Sequence, residues 1–203
     1  NPDVVCLPKP VLSSLESQLD IHLDVAAVSP LVLTIGRDSD DLNTARAQIQ
    51  VRRILSSFEM FICSTFLRKV FRFVMKRYVY SELKGKGGIH IVDSINGACF
   101  LIDLSRINFR FSEEMFLYFE EVYMGYLFKE VGLKFILHGD IFVRHSQGAT
   151  TGSNNRSYSV LRERQKLSSE LLVYTHFKVF NYFTLVIVKY LRLFEIVIRR
   201  CLR

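Results

Sequence analysis

Tryptophan is absent from this 203-residue chain, and cysteine and proline occur only four times each. Cys6, Cys63, Cys99 and Cys201 lie far apart among apolar neighbours, with no CxxC pair. That spacing excludes a disulfide framework or a structural zinc site and predicts buried free thiols in a reducing compartment. The longest uncharged run near the C-terminus, Val179–Val188, is far shorter than the ~20 residues a membrane span needs. A glycine-rich turn, Gly85-Lys86-Gly87-Gly88, lacks the Lys-Ser/Thr and following helix of a phosphate-binding loop.

Apolar residues make up 49% of the chain and include 17 phenylalanines, enough for one domain with a real core. The net charge of +7 is unevenly placed: residues 51–78 carry +6 and residues 171–203 carry +5, which leaves −4 for the rest. Such segregation points to a partner surface rather than to the fold. No nucleic-acid-binding motif or aromatic-basic platform accompanies the charge, so no nucleic-acid partner is expected.

Leu12, Leu15 and Leu19 mark a short helix, and a β-rich run over Val25–Thr34 is broken by Pro30. Residues 35–50 read as a polar loop entering a helix. Phe58–Tyr78 reads as one helix with Ile62, Phe66, Val70 and Phe73 on its apolar face. Ile89–Val92 and Ala98–Ile102 are strand candidates around the turn Asn96-Gly97. Further on come strands at Lys134–Leu137 and Ile141–Val143 and a helix over Tyr158–Leu172. The last helix is the clearest amphipath: Val179, Phe183, Val186, Tyr190, Leu193 and Val197 form one arc. Lys178, Asn181, Lys189, Arg192, Arg199 and Arg200 form the other. A helix lying in a membrane interface fits both the apolar arc and the charge sign; docking on its own core and a coiled-coil seam are the alternatives.

The chain is organised around Met115–Gly152. Aromatic residues there deliver Glu120 and Glu121 to the head of a helix whose apolar positions are Phe119, Val122, Tyr126 and Leu127, with Gly132 as its C-terminal cap. His145 follows at a strand end, before a small polar loop. The acidic pair and the histidine could converge on one cleft. Equally, the pair could be a solvated first turn favoured by the helix dipole, and the histidine a surface residue.

Four pieces in order carry a resemblance: Gly97-Ala98-Cys99-Phe100-Leu101-Ile102, Phe116-Leu117-Tyr118-Phe119-Glu120-Glu121-Val122, Gly132-Leu133-Lys134 and His145-Ser146-Gln147-Gly148. Together they resemble the C-terminal half of family 2 glycosyltransferases, most closely the rhamnosyltransferase-like members that build bacterial surface polysaccharides. Glu121 stands where that family usually has Asp, and Tyr123 where it often has a second acidic residue.

The resemblance implies an α/β fold, an incomplete GT-A-like domain with a mixed sheet flanked by helices and followed by C-terminal amphipathic helices. Residues 1–165 would be the partial catalytic domain, without the family's upstream β-α-β portion that grips the nucleotide, and 166–203 an amphipathic helical tail. It implies inverting transfer of a sugar, with rhamnose the candidate, from a nucleotide-sugar donor to a lipid-linked or polysaccharide acceptor. Glu121, with Glu120 as alternative, would be the catalytic base. Asp3 and His145 would hold a divalent cation, Mg²⁺ or Mn²⁺, at the donor diphosphate, although an Asn-Pro-Asp start is otherwise an ordinary turn signal. Gly97 and Ala98 would line the substrate cleft, and Arg156 and Arg162 would meet phosphate groups. The expected place is cytoplasmic, peripheral on the inner face of the cell membrane, with an anionic membrane surface as partner. The competing expectation is an inactive transferase remnant that acts as a membrane-surface binding protein.

Overall fold

Leu15 and Leu19, one helical turn apart, become the buried face of α1 (Lys9–Ile21) and pack on Val25, Val28 and Ile136. The computed structural model describes residues 9–35, 46–48, 51–108, 110, 115, 118–146 and 160–202. Val25, Ala26, Ala27 and Val28 are wholly buried, so the strand they begin, β1 (Val25–Ile35), is central to its sheet. Three further strands follow in the chain: β2 (Arg46–Gln48), β3 (Ile89–Val92) and β4 (Leu101–Ile102). The last strand is β5 (Lys134–Ser146), which runs parallel along one edge of β1. On the other edge β1 pairs antiparallel with β4 near its start and with β2 near its end. β3 lies antiparallel on the far edge of β5, giving the order β2-β1-β5-β3. The protein is therefore α/β, with a mixed sheet flanked by helices, as expected.

Pro30 does not end β1. It lacks the N–H that a ladder needs, and the chain absorbs this as a register shift. Pro30 lies opposite His138, whereas Leu31 lies opposite Phe142, so Gly139-Asp140-Ile141 bulge from β5. The two short strands expected at 134–137 and 141–143 are thus one strand with a bulge. The bulge pins the glycine turn: Gly139 N–H donates to the Gly88 carbonyl at 2.7 Å, and Gly88 N–H donates to Asp140 Oδ2 at 2.9 Å.

The single helix expected over 58–78 is corrected. It is split into α2 (Ser57–Ser64), a 3₁₀ turn (Phe66–Lys69) and α3 (Arg72–Tyr78). Thr65 is the cause. Its hydroxyl donates to the Phe61 carbonyl at 2.9 Å while its own backbone is extended, a side-chain bond that competes with the helix. The break rotates the expected apolar face. Ile62 stays buried, but Phe66, Val70 and Phe73 are exposed.

Next comes α4 (Glu120–Glu130), closed by Gly132 at φ 74°. Phe128 on its buried side stacks on Phe135 of β5 with ring centroids 4.3 Å apart. A Cβ at Gly125 would lie 2.4 Å from the Asp93 carbonyl oxygen, so only glycine lets α4 come this close to residues 93–97.

The last two helices are α5 (Val160–His176) and α6 (Tyr182–Cys201), the latter capped by Asn181, whose side chain accepts from Thr184 N–H. Val173, Tyr174, Val179, Phe180 and Val188 share a core with Met60, Ile62, Val74 and Val122. Beside this core lies a buried polar cluster. Tyr174 donates to Glu170 at 3.0 Å and accepts from Ser64 at 2.6 Å. Arg192 lies 3.6 Å from Glu170, and Glu195 takes Arg68, Arg192 and Arg199. The thiol expectation needs correcting: Cys63 and Cys99 are free but only half-buried, and Cys201 is exposed. No helix among the described residues is long and apolar enough to cross a membrane.

Two outcomes follow from this packing. Gly125→Ala should destabilise the fold by about 1–3 kcal/mol, because backbone cannot move aside as a side chain can. Burial alone would raise the Glu195 carboxyl, but Arg68, Arg199 and Arg192 hold it down to about 2. Its contribution is therefore present above the ordinary glutamate value of 4.5 and is lost as pH falls from there through about 2. Glu195→Ala, leaving Arg68 and Arg199 without a carboxylate and Arg192 with Glu170 alone, should cost about 3–5 kcal/mol at neutral pH. Urea denaturation of each variant measures both.

Candidate functional site

The chain enters α4 through two successive aromatic residues in the left-handed region, Tyr118 at φ 106° and Phe119 at φ 65°. Bulky L-residues adopt such angles only where their surroundings impose them. The surroundings are in α5: Phe119 packs edge-on against Tyr174 at 6.5 Å between centroids, and the Lys166 ammonium lies over the Tyr118 ring at 5.0 Å. Glu120 secures the bend by accepting from Tyr118 N–H at 2.8 Å. Glu121 is then placed at the head of the helix with its carboxylate turned to the loop at 93–98.

That loop is clamped. Asp93 N–H donates to the Tyr80 hydroxyl at 3.0 Å, Asp93 Oδ2 accepts from Ile54 N–H at 2.9 Å, and Ser94 Oγ accepts from Arg52 N–H at 2.7 Å. Asn96 Oδ1 accepts from Ala98 N–H at 2.9 Å, an Asx turn that presents Gly97. Gly97 N–H donates to Glu121 Oε1 at 3.2 Å. A Cβ at position 97 would lie 2.6 Å from that oxygen, so the close approach needs glycine or a displaced carboxylate.

Burial is the largest influence on the Glu121 carboxyl and pushes its pKa above the ordinary value, with the neighbouring Glu120 charge acting in the same direction. Its own N–H, Gly97 N–H and Arg52 oppose the shift without cancelling it. A half-buried carboxyl with a raised pKa suits proton transfer, because its protonated and ionised forms both become accessible nearer neutral pH.

Four of the residues singled out from the sequence, Glu120, Glu121, Gly97 and Ala98, are thus brought together. Arg162 lies half-buried in the first turn of α5, four residues before Lys166 and so on the same side of the helix. His145 stands near the end of β5, opposite Thr34 of β1. Asp3 and Arg156 lie outside the described residues. Among the described residues no three His, Cys, Asp or Glu side chains converge on a possible cation, so they supply no donor set of their own for Mg²⁺ or Mn²⁺.

One residue of this site escaped the sequence reading. Asn96 is 3% exposed, and its Nδ2 has no hydrogen-bond partner among the described residues. Asn-Gly signals a turn; that the asparagine would be buried with an uncommitted donor is a matter of tertiary packing. Comparison with family models, curated proteins and solved structures finds no match to this chain.

The raised Glu121 pKa has a sign that can be checked. A carboxyl held above its unfolded value favours the folded state below about 4.5 and loses that contribution as pH rises through the folded pKa. Glu121→Gln keeps an oxygen for Gly97 N–H but has no proton to lose. The variant should match the parent in acid and exceed it in stability at neutral pH, measured by urea denaturation across that range. Equal stability at both ends would mean that the carboxyl is fully solvated.

Proposed function

We propose that this chain is the acceptor-side part of a GT-A-type, inverting glycosyltransferase, in which Glu121 is the base. The observation that carries the reading is the meeting of Glu121 with the Gly97 backbone at 3.2 Å. Two pieces of the family-like pattern, 24 residues apart in the chain, form one hydrogen-bonded unit around a carboxyl with a raised pKa. The order of the four family-like pieces along residues 97–148 supports the same assignment.

In this reading an acceptor hydroxyl gives its proton to Glu121 as its oxygen attacks the anomeric carbon of the donor sugar. The bond from that carbon to the nucleoside diphosphate breaks in the same displacement, and the configuration inverts. Gly97 N–H holds the carboxylate in place, and Asn96, buried beneath the turn, holds Ala98 N–H and so fixes Gly97. Arg162, in the first turn of α5, would meet the diphosphate together with Arg156. Asp3 and His145 would hold the cation that neutralises the leaving group; the cation takes no part in the role given to Glu121. Rhamnose is the candidate sugar and a lipid-linked or polysaccharide glycan the candidate acceptor, at the inner face of the membrane.

The test is transfer from a panel of radiolabelled nucleoside-diphosphate sugars to polyprenyl-diphosphate-linked acceptors. Glu121→Gln should lower turnover by about 10²–10⁴-fold, with donor affinity little changed, because a base acts in the transition state rather than in binding. Loss of turnover in Glu120→Gln alone would move the base by one residue. Full turnover in both variants would defeat the assignment.

A further inference from the structure

The helix α6 departs from an ordinary surface helix: beside buried Val188 and Ile196 its inner side carries three charged residues, while large apolar residues face out. Val188, Arg192, Glu195, Ile196 and Arg199 recur at spacings of three and four and line the inner side. Arg192 and Glu195 there are 12% and 11% exposed, and Arg199 is tied to Glu195. The same spacing turns Phe183, Tyr190, Phe194 and Val197 outward, at 73%, 64%, 64% and 56% exposure. The expected basic arc is accordingly corrected. Arg192 and Arg199 are spent on internal ion pairs, and of the arc only Lys178, Asn181, Lys189 and Arg200 are exposed.

A second exposed apolar group lies on a segment tied to the inner side of this helix. The 3₁₀ turn at Phe66–Lys69 is joined to α6 by the Arg68–Glu195 ion pair. From there to the start of α3 the chain leaves Phe66, Val70, Phe71 and Phe73 in solvent. The same segment carries an open groove of about 500 Å³ lined by Arg68, Lys69, Arg72, Met75, Lys76 and Val79. Lys69, Arg72 and Lys76 are exposed, and none has an acidic partner among the described residues.

We infer that α6 and the 66–76 segment together form a monotopic docking surface for an anionic lipid bilayer. The outward aromatic and aliphatic side chains enter the headgroup boundary, and Lys69, Arg72 and Lys76 take the lipid phosphates. Charge decides the occupant. Exposed apolar residues alone would suit a protein partner or a second copy equally well. Unpaired cations interleaved with them would repel a second copy and complement an anionic bilayer. The cations that read the lipid therefore come from the segment that follows the Thr65 break together with Lys189 and Arg200 of α6. This surface is separate from the Glu121 site and stands whether or not that site is catalytic.

The experiment is co-sedimentation of the full chain with phosphatidylcholine vesicles, with and without phosphatidylglycerol, at low and high salt. Binding should be at least about tenfold stronger with phosphatidylglycerol at low salt and should fall, without vanishing, as salt rises. Removing Lys69, Arg72 and Lys76 together (each to Ala) should sharply reduce the preference for anionic vesicles. Removing three exposed lysines elsewhere, Lys84, Lys86 and Lys129, should leave it in place. Phe183→Ser with Phe194→Ser should weaken binding to both vesicle types; all these side chains are exposed, and circular dichroism confirms the fold of each variant. The inference is overturned if no vesicles bind at low salt, or if the control triple loses as much as the Lys69, Arg72, Lys76 triple. A dimer that comes apart in the double Phe variant while vesicles fail to bind would also overturn it, and would give the surface to a second copy.

Discussion

The close contact of α4 with the loop at 93–97 is the constraint on which the candidate site depends. Two glycines permit it. At Gly125 any side chain would meet the Asp93 carbonyl, and at Gly97 any side chain would meet the Glu121 carboxylate. Because backbone faces backbone at Gly125, the distance between loop and helix is set there by a hard contact rather than by mobile side chains. The loop is held from its other side by bonds to Arg52 and Ile54, so the carboxylate faces a fixed partner. The strained entry at Tyr118 and Phe119 belongs to the same arrangement: an ordinary cap at that point would not need two aromatics in left-handed geometry.

Much of the fold was legible because its periodicities are local. Ile89–Val92 and the helix around Leu15 and Leu19 declare themselves by spacing alone, and Gly132 marks the end of α4 by a rule that concerns only its own φ. What escaped was decided at longer range or by side chains that compete with backbone. The Thr65 hydroxyl bond to Phe61 splits a helix whose apolar spacing runs unbroken. The Pro30 gap is absorbed by a partner strand more than a hundred residues away in the chain. At the site, the order of the family-like pieces pointed to Glu121 and Gly97. Nothing local could show that Asn96 would be buried or that Phe119 would be forced to positive φ.

A helical wheel of α6 yields two faces but not which of them meets the protein. The usual assumption buries the apolar one. Here the inner face carries arginines beside Val188 and Ile196, because Glu170 on α5 and Glu195 on α6 are close enough to neutralise Arg192, Arg199 and Arg68 of the 3₁₀ turn. Such a cluster carries a heavy desolvation cost, offset only if every charge finds a partner. It contributes little as a source of stability and more as a device of orientation, since rotating α6 about its axis would strand those charges against apolar neighbours.

The bulge in β5 has a consequence for the edge of the sheet. Before it, residues 135–138 are bonded on both sides, to β1 and to β3; after it, residues 142–146 pair with β1 and with no other strand among the described residues. The strand that carries His145 therefore begins as an interior strand and ends as a border. Among the described residues no strand covers that side of its last backbone donors and acceptors, so one strand serves as interior in its first half and as edge in its second.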